Sequence, residues 1–328
     1  MGLASIPKIR DSRLMKLLAL KIDVDTLRGT LEGVPRLVSI LKARQARATF
    51  LFSLGPDHTG RAIKRVFRKG FLGKVQRTSV LEHYGLKTLL YGTLLPGPDI
   101  GKHGVDQMRS VASAGFETGI HTWDHVTWQD GVAQASAAWT VRQMMLAEER
   151  FQQIFGRPAE VHGAAGWQMN DAAFEHLDQA GIRWASDCRG NAPFIPVIHD
   201  HPCLCPQLPT TLPTLDELIG LDGLDRETVA THLLSLTAAA PPQGHHVFTL
   251  HAELEGMRLA SVMERLLQGW QQQGYQLVSL GELAHTLDLT GLPRCRIVRG
   301  ELPGRSGKMA LQGPALDNPP VSILSGMQ

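Results

Sequence analysis

No run of this sequence reaches the roughly 18 consecutive apolar residues that a membrane-crossing helix needs, so an integral membrane chain is not expected. Cysteine is scarce. Cys188, Cys203, Cys205 and Cys295 are four thiols in 328 residues, too few for a disulfide framework, and Cys203-x-Cys205 lacks the two-residue gap and second pair of a zinc ribbon. Free thiols in a reducing compartment are expected. Charge of one sign is lacking too: a formal net charge of +2 gives no whole-chain reason to expect a nucleic-acid partner, so any basic surface must be local. The amino terminus is basic, but its apolar stretch from Leu14 is interrupted by Lys16 and carries no small-residue cleavage site, so no signal peptide is expected.

What the sequence does have is alternation. Leu17-Leu18-Ala19-Leu20-Lys21-Ile22 and Ala48-Thr49-Phe50-Leu51-Phe52 read as buried strands, followed by others at Gly119-Ile120, Ala159-Glu160-Val161, Arg183-Trp184-Ala185, Val247-Phe248-Thr249-Leu250 and Gln276 to Leu280. Between them lie amphipathic helices: Val34 to Leu41 with Pro35 in its first turn, 105–112, Val141 to Ile154 stopped by Gly156 and Pro158, 172–180, 228–238 and 261–272. Repeated strand–helix units imply parallel pairing. The expected fold is α/β: a single domain over 1–298, closed or nearly closed into a (β/α) barrel, with an insertion at about 58–102 and a loosely ordered Gly/Pro/Ser-rich tail over 299–328.

Polar residues share one address in this scheme. Asp23 and Asp25, His121, His162, Ser186 with Asp187, and His251 each follow an expected strand, and catalytic groups of barrels collect at strand carboxyl ends. In His121-Thr122-Trp123-Asp124-His125 the two imidazoles fall on one face of a helical turn, and a distant carboxylate as third ligand leaves one metal position open for water. Isolated histidines such as His176, His232 and His285 read instead as surface or packed residues.

At these residues the chain resembles the polysaccharide deacetylase family, metal-dependent amide hydrolases on a distorted (β/α) barrel, with motifs spread from about 17 to 285. The resemblance implies Asp23 as base, Asp25, His121 and His125 as metal ligands, His251 as general acid and Asp187 as the residue that orients it. Two departures stand out: Val24 separates carboxylates that are more often adjacent, and His162-Gly163 stands where an Arg usually braces the base. Within the family, Lys21–Gly29, Leu54–Gly60, His121–Asp130 and Pro206–Leu218 resemble the branch that removes formate from a formamido-arabinose carried on undecaprenyl phosphate. That implies a Gram-negative bacterial enzyme on the route to aminoarabinose-modified lipid A and polymyxin resistance. One divalent ion is implied, and an Asp/His set admits zinc, cobalt, nickel or manganese.

For the substrate, His162 and the small residues Gly163-Ala164-Ala165 suggest a tight acyl cavity, a backbone N–H near His58 or Ala164 suggests an oxyanion site, Trp123 and Trp128 suggest either sugar stacking or core, and His58 and Arg189 suggest phosphate contacts. After the second strand, Arg61, Lys64, Arg65, Arg68, Lys69, Lys74, Arg77 and Lys87 face one carboxylate, Glu82. Interleaved Phe67, Phe71 and Leu72, and then Leu86 to Leu95, suit an anionic membrane interface, so peripheral attachment to the cytoplasmic face of the inner membrane is expected; a solvated helix with a packed hairpin is the alternative. Other functions remain in view. A deacetylase of another N-acyl sugar would share the metal site, and a non-catalytic carbohydrate-binding module would dispense with Asp23 or His251.

Overall fold

The frame is set by β1 (Lys16–Val24), which is buried along almost its whole length. In the computed structural model, which describes residues 16–62, 88–239, 241, 244–305 and 307–316, Leu18, Leu20, Ile22 and Val24 pack in one core with helix residues such as Leu37, Leu41, Met263 and Leu266. Leu17 and Ala19 belong to a second core with Leu51, Val161, Trp184 and Val247. Successive side chains of a strand point to opposite faces, so one set lies under the helices and the other inside the curve of the sheet. Lys21 and Asp23 fall on the inner set.

The main sheet is parallel and runs β5 (Trp184–Ala185), β4 (Val161–His162), β3 (Glu117–Thr122), β2 (Thr49–Ser53), β1, β8 (His245–His251), with β9 (Tyr275–Val278) pairing the lower half of β1. Asp23 lies opposite Leu51 on one side and His251 on the other. The gap between β5 and β8 is spanned by residues 206–212: Ala185 N donates to Pro206 O, Leu208 N to Ala185 O and Thr211 N to Val247 O, at 3.0, 2.7 and 3.0 Å. Irregular chain, not a strand, completes the barrel.

Helices α1 (Val34–Ala43), α2 (Val105–Ser113), α3 (His125–Gly131), α4 (Ala137–Phe155), α5 (Asp171–Gln179), α6 (Val229–Leu236) and α7 (Ala260–Gln272) supply the outer layer. Among the described residues no helix is long and apolar enough to cross a membrane. A second sheet, ordered β11-β10-β6-β7, joins β6 (Ile195–Ile198), β7 (His201–Pro202), β10 (Arg294–Gly300) and β11 (Met309–Ala315). It corrects the expected loose tail: β11 runs antiparallel to β10, and Gln312 N donates to Arg189 O at 2.8 Å, so the chain stays integrated to residue 316. Among the described residues, Gly and Pro there fall in and around a strand; Ser306 and 317–328 lie outside the described residues. Of the expected membrane contacts, Lys64, Arg65, Phe67, Arg68, Phe71 and Leu72 lie outside the described residues; Arg61 is described, with Nε donating to Gly92 O at 3.0 Å.

Candidate active site

The carboxyl ends of β1, β3 and β8 bring the expected groups to one rim. Asp25 follows β1, and the turn that carries it is tied down by Glu253, whose Oε1 accepts from Asp25 N, Thr26 N and Thr26 Oγ1 at 3.1, 2.9 and 2.8 Å. His121 lies within β3 and His125 begins α3. Between them Asp124 caps the helix: its Oδ1 accepts from Thr127 N at 3.0 Å and its Oδ2 from Thr127 Oγ1 at 2.6 Å, a kind of contact worth about 1 kcal/mol. Asp124 also holds His58 Nδ1 at 2.6 Å. The middle of the His-x-x-x-His stretch thus builds the turn that brings its ends together.

Asp25, His121 and His125 each offer a ligand atom within 4.8 Å of the others. His121 Nδ1 lies 2.5 Å from Gly163 O, which fixes a proton on Nδ1 and turns Nε2 toward Asp25, the orientation a ligating imidazole requires; burial lowers the His121 pKa but Asp23 and Asp25 outweigh it and raise it, so a cation must displace the Nε2 proton. That Nε2 lies 3.2 Å from Asp25 Oδ1, and His125 Nε2 lies 3.5 Å from Asp25 Oδ2. Yet Asp25 Oδ1 is buried without a hydrogen bond of good geometry, which leaves it available to a cation held by all three groups. Burial presses against the Asp25 charge, but His125 and His121 hold its carboxyl well below the usual range. Burial pulls His125 down to about 4 against the opposing pull of Asp25, so it is a neutral imidazole near pH 7. An ionised carboxylate and a neutral imidazole beside a second imidazole of fixed orientation fit a divalent cation.

Asp23 stands beside this set, its Oδ1 3.7 Å from His121 Nδ1 and its Oδ2 3.3 Å from Lys21 Nζ. His251 reaches the rim from β8, its backbone N–H donating to Glu255 Oε2 at 2.8 Å. Burial lowers the His251 pKa, but Asp216, Asp25 and Glu255 outweigh that and carry it up to about 9.

Several expected contacts are different. Asp187 does not orient His251: its Oδ1 meets His162 Nδ1 at 2.7 Å and accepts from Ala164 N at 2.7 Å, and its Oδ2 accepts from Gln207 Nε2 at 3.0 Å. The carboxylate facing His251 Nδ1 is Asp216, at 3.9 Å, with Arg305 Nη1 at the same distance from its other oxygen. The Ala164 N–H is thereby spent and cannot serve an oxyanion. Arg189 is no phosphate contact; it is buried, with Nη1 on Glu217 Oε1 at 2.6 Å and Nη2 on Leu212 O at 3.0 Å. Trp128 is core, donating to Gln168 O at 2.8 Å and stacked on Trp139. Trp123 is half-buried and committed to packing, with Arg150 over its ring and Gly55 against it. His58 stays at the rim on Asp124, and His162 is buried against Asp187.

Comparison with known proteins decides the family: residues 15–185 match the model for polysaccharide deacetylase. This chain belongs to the polysaccharide deacetylase family. As a polysaccharide deacetylase it is a hydrolase acting on amide bonds. It is 36% identical over 298 residues, 91% of its own length and 95% of the relative's, to the probable 4-deoxy-4-formamido-L-arabinose-phosphoundecaprenol deformylase ArnD of Shewanella sediminis (strain HAW-EB3). A protein of the same name from Wigglesworthia glossinidia brevipalpis is 32% identical over 87% of this chain and 98% of that one. In fold, this polysaccharide deacetylase is similar to a crystal structure from Mycobacterium smegmatis of a protein assigned to the same class, with a TM-score of 0.59 at 17% identity over 92% of this chain and 100% of the other.

Proposed function

We propose that this chain hydrolyses the formamide of a 4-deoxy-4-formamido-L-arabinose carried on undecaprenyl phosphate, releasing formate and leaving the free amino sugar. The observation that carries the reading is the convergence of Asp25, His121, His125, Asp23 and His251 on one rim in a chain that matches the deformylase-named relatives over nearly their whole length. Asp25, His121 and His125 would hold zinc, cobalt, nickel or manganese, and such an ion supplies Lewis acidity and lowers the pKa of bound water. Asp23 takes the water proton. His251, protonated near neutral pH by the charges around it, gives a proton to the departing sugar nitrogen, which otherwise leaves poorly. Asp216, 3.9 Å from His251 Nδ1, acts on it through its charge, which favours the protonated ring.

The substrate's polyprenyl tail remains in the bilayer, so the reading includes peripheral attachment at the cytoplasmic face of the inner membrane and a place in lipid A modification and cationic-peptide resistance. Exposed Leu90, Leu94 and Leu95 on the turn beside His58, with Arg61 nearby, support it, since apolar and basic groups together suit an anionic interface. The test is product analysis on purified protein with formamido- and acetamido-arabinose-phosphoundecaprenol in parallel. Formate release with little acetate is expected. Preferential acetate release would move the assignment to another N-acyl sugar.

A further inference from the structure

Lys21 is a charge where charges are rarest. Its side chain is fully buried on β1, between the inward-facing Ala19 and Asp23, with Nζ 3.3 Å from Asp23 Oδ2 and 5.2 Å from the centre of the Trp167 ring. An ammonium withdrawn from water must be compensated by an opposite charge. Among the described residues Asp23 is the carboxylate within ion-pair distance. Strand geometry makes the pairing, since residues two apart share a face. Gly163 makes the room: a Cβ there would come within 2.8 Å of Lys21 Cε and 2.3 Å of Leu51 Cδ1.

We propose that Lys21 is the positioning residue for Asp23. Its ammonium lies 3.3 Å from Oδ2 as an ion pair with no hydrogen bond of its own, and Oδ1, which also has no hydrogen-bond partner, lies on the side of His121. The inference deepens the functional reading above and rests on its assignment of Asp23 as base. Lys21 is fully buried, so its loss is expected in kcat and not in KM.

The experiment is a cycle of Lys21→Met, Asp23→Asn and the double variant in the full-length, metal-loaded protein, with Lys21→Ala assayed with and without added propylammonium. Lys21→Met should lower kcat about 100-fold, the cost of a misplaced catalytic group, with KM and metal stoichiometry unchanged. Propylammonium should restore part of the rate to Lys21→Ala. On the Asp23→Asn background, Lys21→Met should cost nothing further. Equal losses on both backgrounds, or an unchanged kcat, would overturn the proposal. Thermal unfolding reads the same cycle without substrate: Asp23→Asn should recover melting temperature lost by Lys21→Met, because an unpaired buried carboxylate is removed, whereas additive losses would refute the pairing. If Lys21→Met fails to fold, the double variant should fold; failure of both also refutes it. Absence of turnover in the wild-type protein would strike the deformylase reading alone, leaving the unfolding cycle to decide the pairing.

Discussion

Asp23 and Asp25 are two residues apart at one strand end, and the different roles proposed for them follow from different neighbours. Asp25 meets two imidazoles and Asp23 an ammonium, while each keeps one buried oxygen without a hydrogen bond. Asp23→Ala should therefore reduce turnover by roughly 10²–10⁴-fold, the usual contribution of a base, while metal content stays at the wild-type level; activity near wild type would refute the base assignment. His251 makes a second prediction. A histidine whose pKa stands at about 9 is protonated below that pH and loses its proton above it, so acid-dependent turnover falls as pH rises through the alkaline limb. A cation on Asp25 cancels one of the charges that raises the pKa, which puts the limb at or below about 9. Asp216→Asn removes the largest of those charges and should move the limb to lower pH by about one unit, read from the pH profile of kcat; an unmoved limb would exclude Asp216 as the partner of His251.

At the scale of elements, the strand ends were legible in the sequence because a buried parallel strand is an unbroken apolar run that stops where polar groups begin. Asp23, Asp25, His121 and His251 were found by that rule. The groups supporting them were not, because each acts across the fold: Glu253 lies 228 residues from the Asp25 N–H it holds, and Asp216 comes from the short helix Leu215–Leu218. Signals existed. Lys21, Asp23 and Asp25 share the two-residue period of a strand face, and Thr214-x-x-Glu217 is a capping box that announces the start of the helix carrying Asp216. Asp187 was misread because its own strand end lies beside His162 and not beside β8. Since Glu253 fixes the turn carrying a ligand, Glu253→Ala should weaken metal affinity about 10–100-fold in a titration with a competing chelator; unchanged affinity would mean that the Asp25 turn holds itself.

For the whole molecule, length and alternation sufficed for an α/β barrel but not for how it closes. The closing segment at 206–212 has no strand periodicity, and β11 is hidden among turn residues. That second sheet is part of the machine: Arg305, between β10 and β11, lies 3.9 Å from Asp216 and 3.3 Å from Glu217, with its guanidinium over Trp167. Deleting residues from 301 onward, and with them Arg305 and β11, should lower the melting temperature and turnover together; an active, equally stable protein ending at 300 would show that neither supports the site. Metal-dependent deformylation is decided by formate release from formamido-arabinose-phosphoundecaprenol with untreated, chelated and metal-restored protein. Release should stop on chelation and return with the divalent ion. Undiminished release from protein shown to be metal-free would rule out a role for the cation at Asp25, His121 and His125.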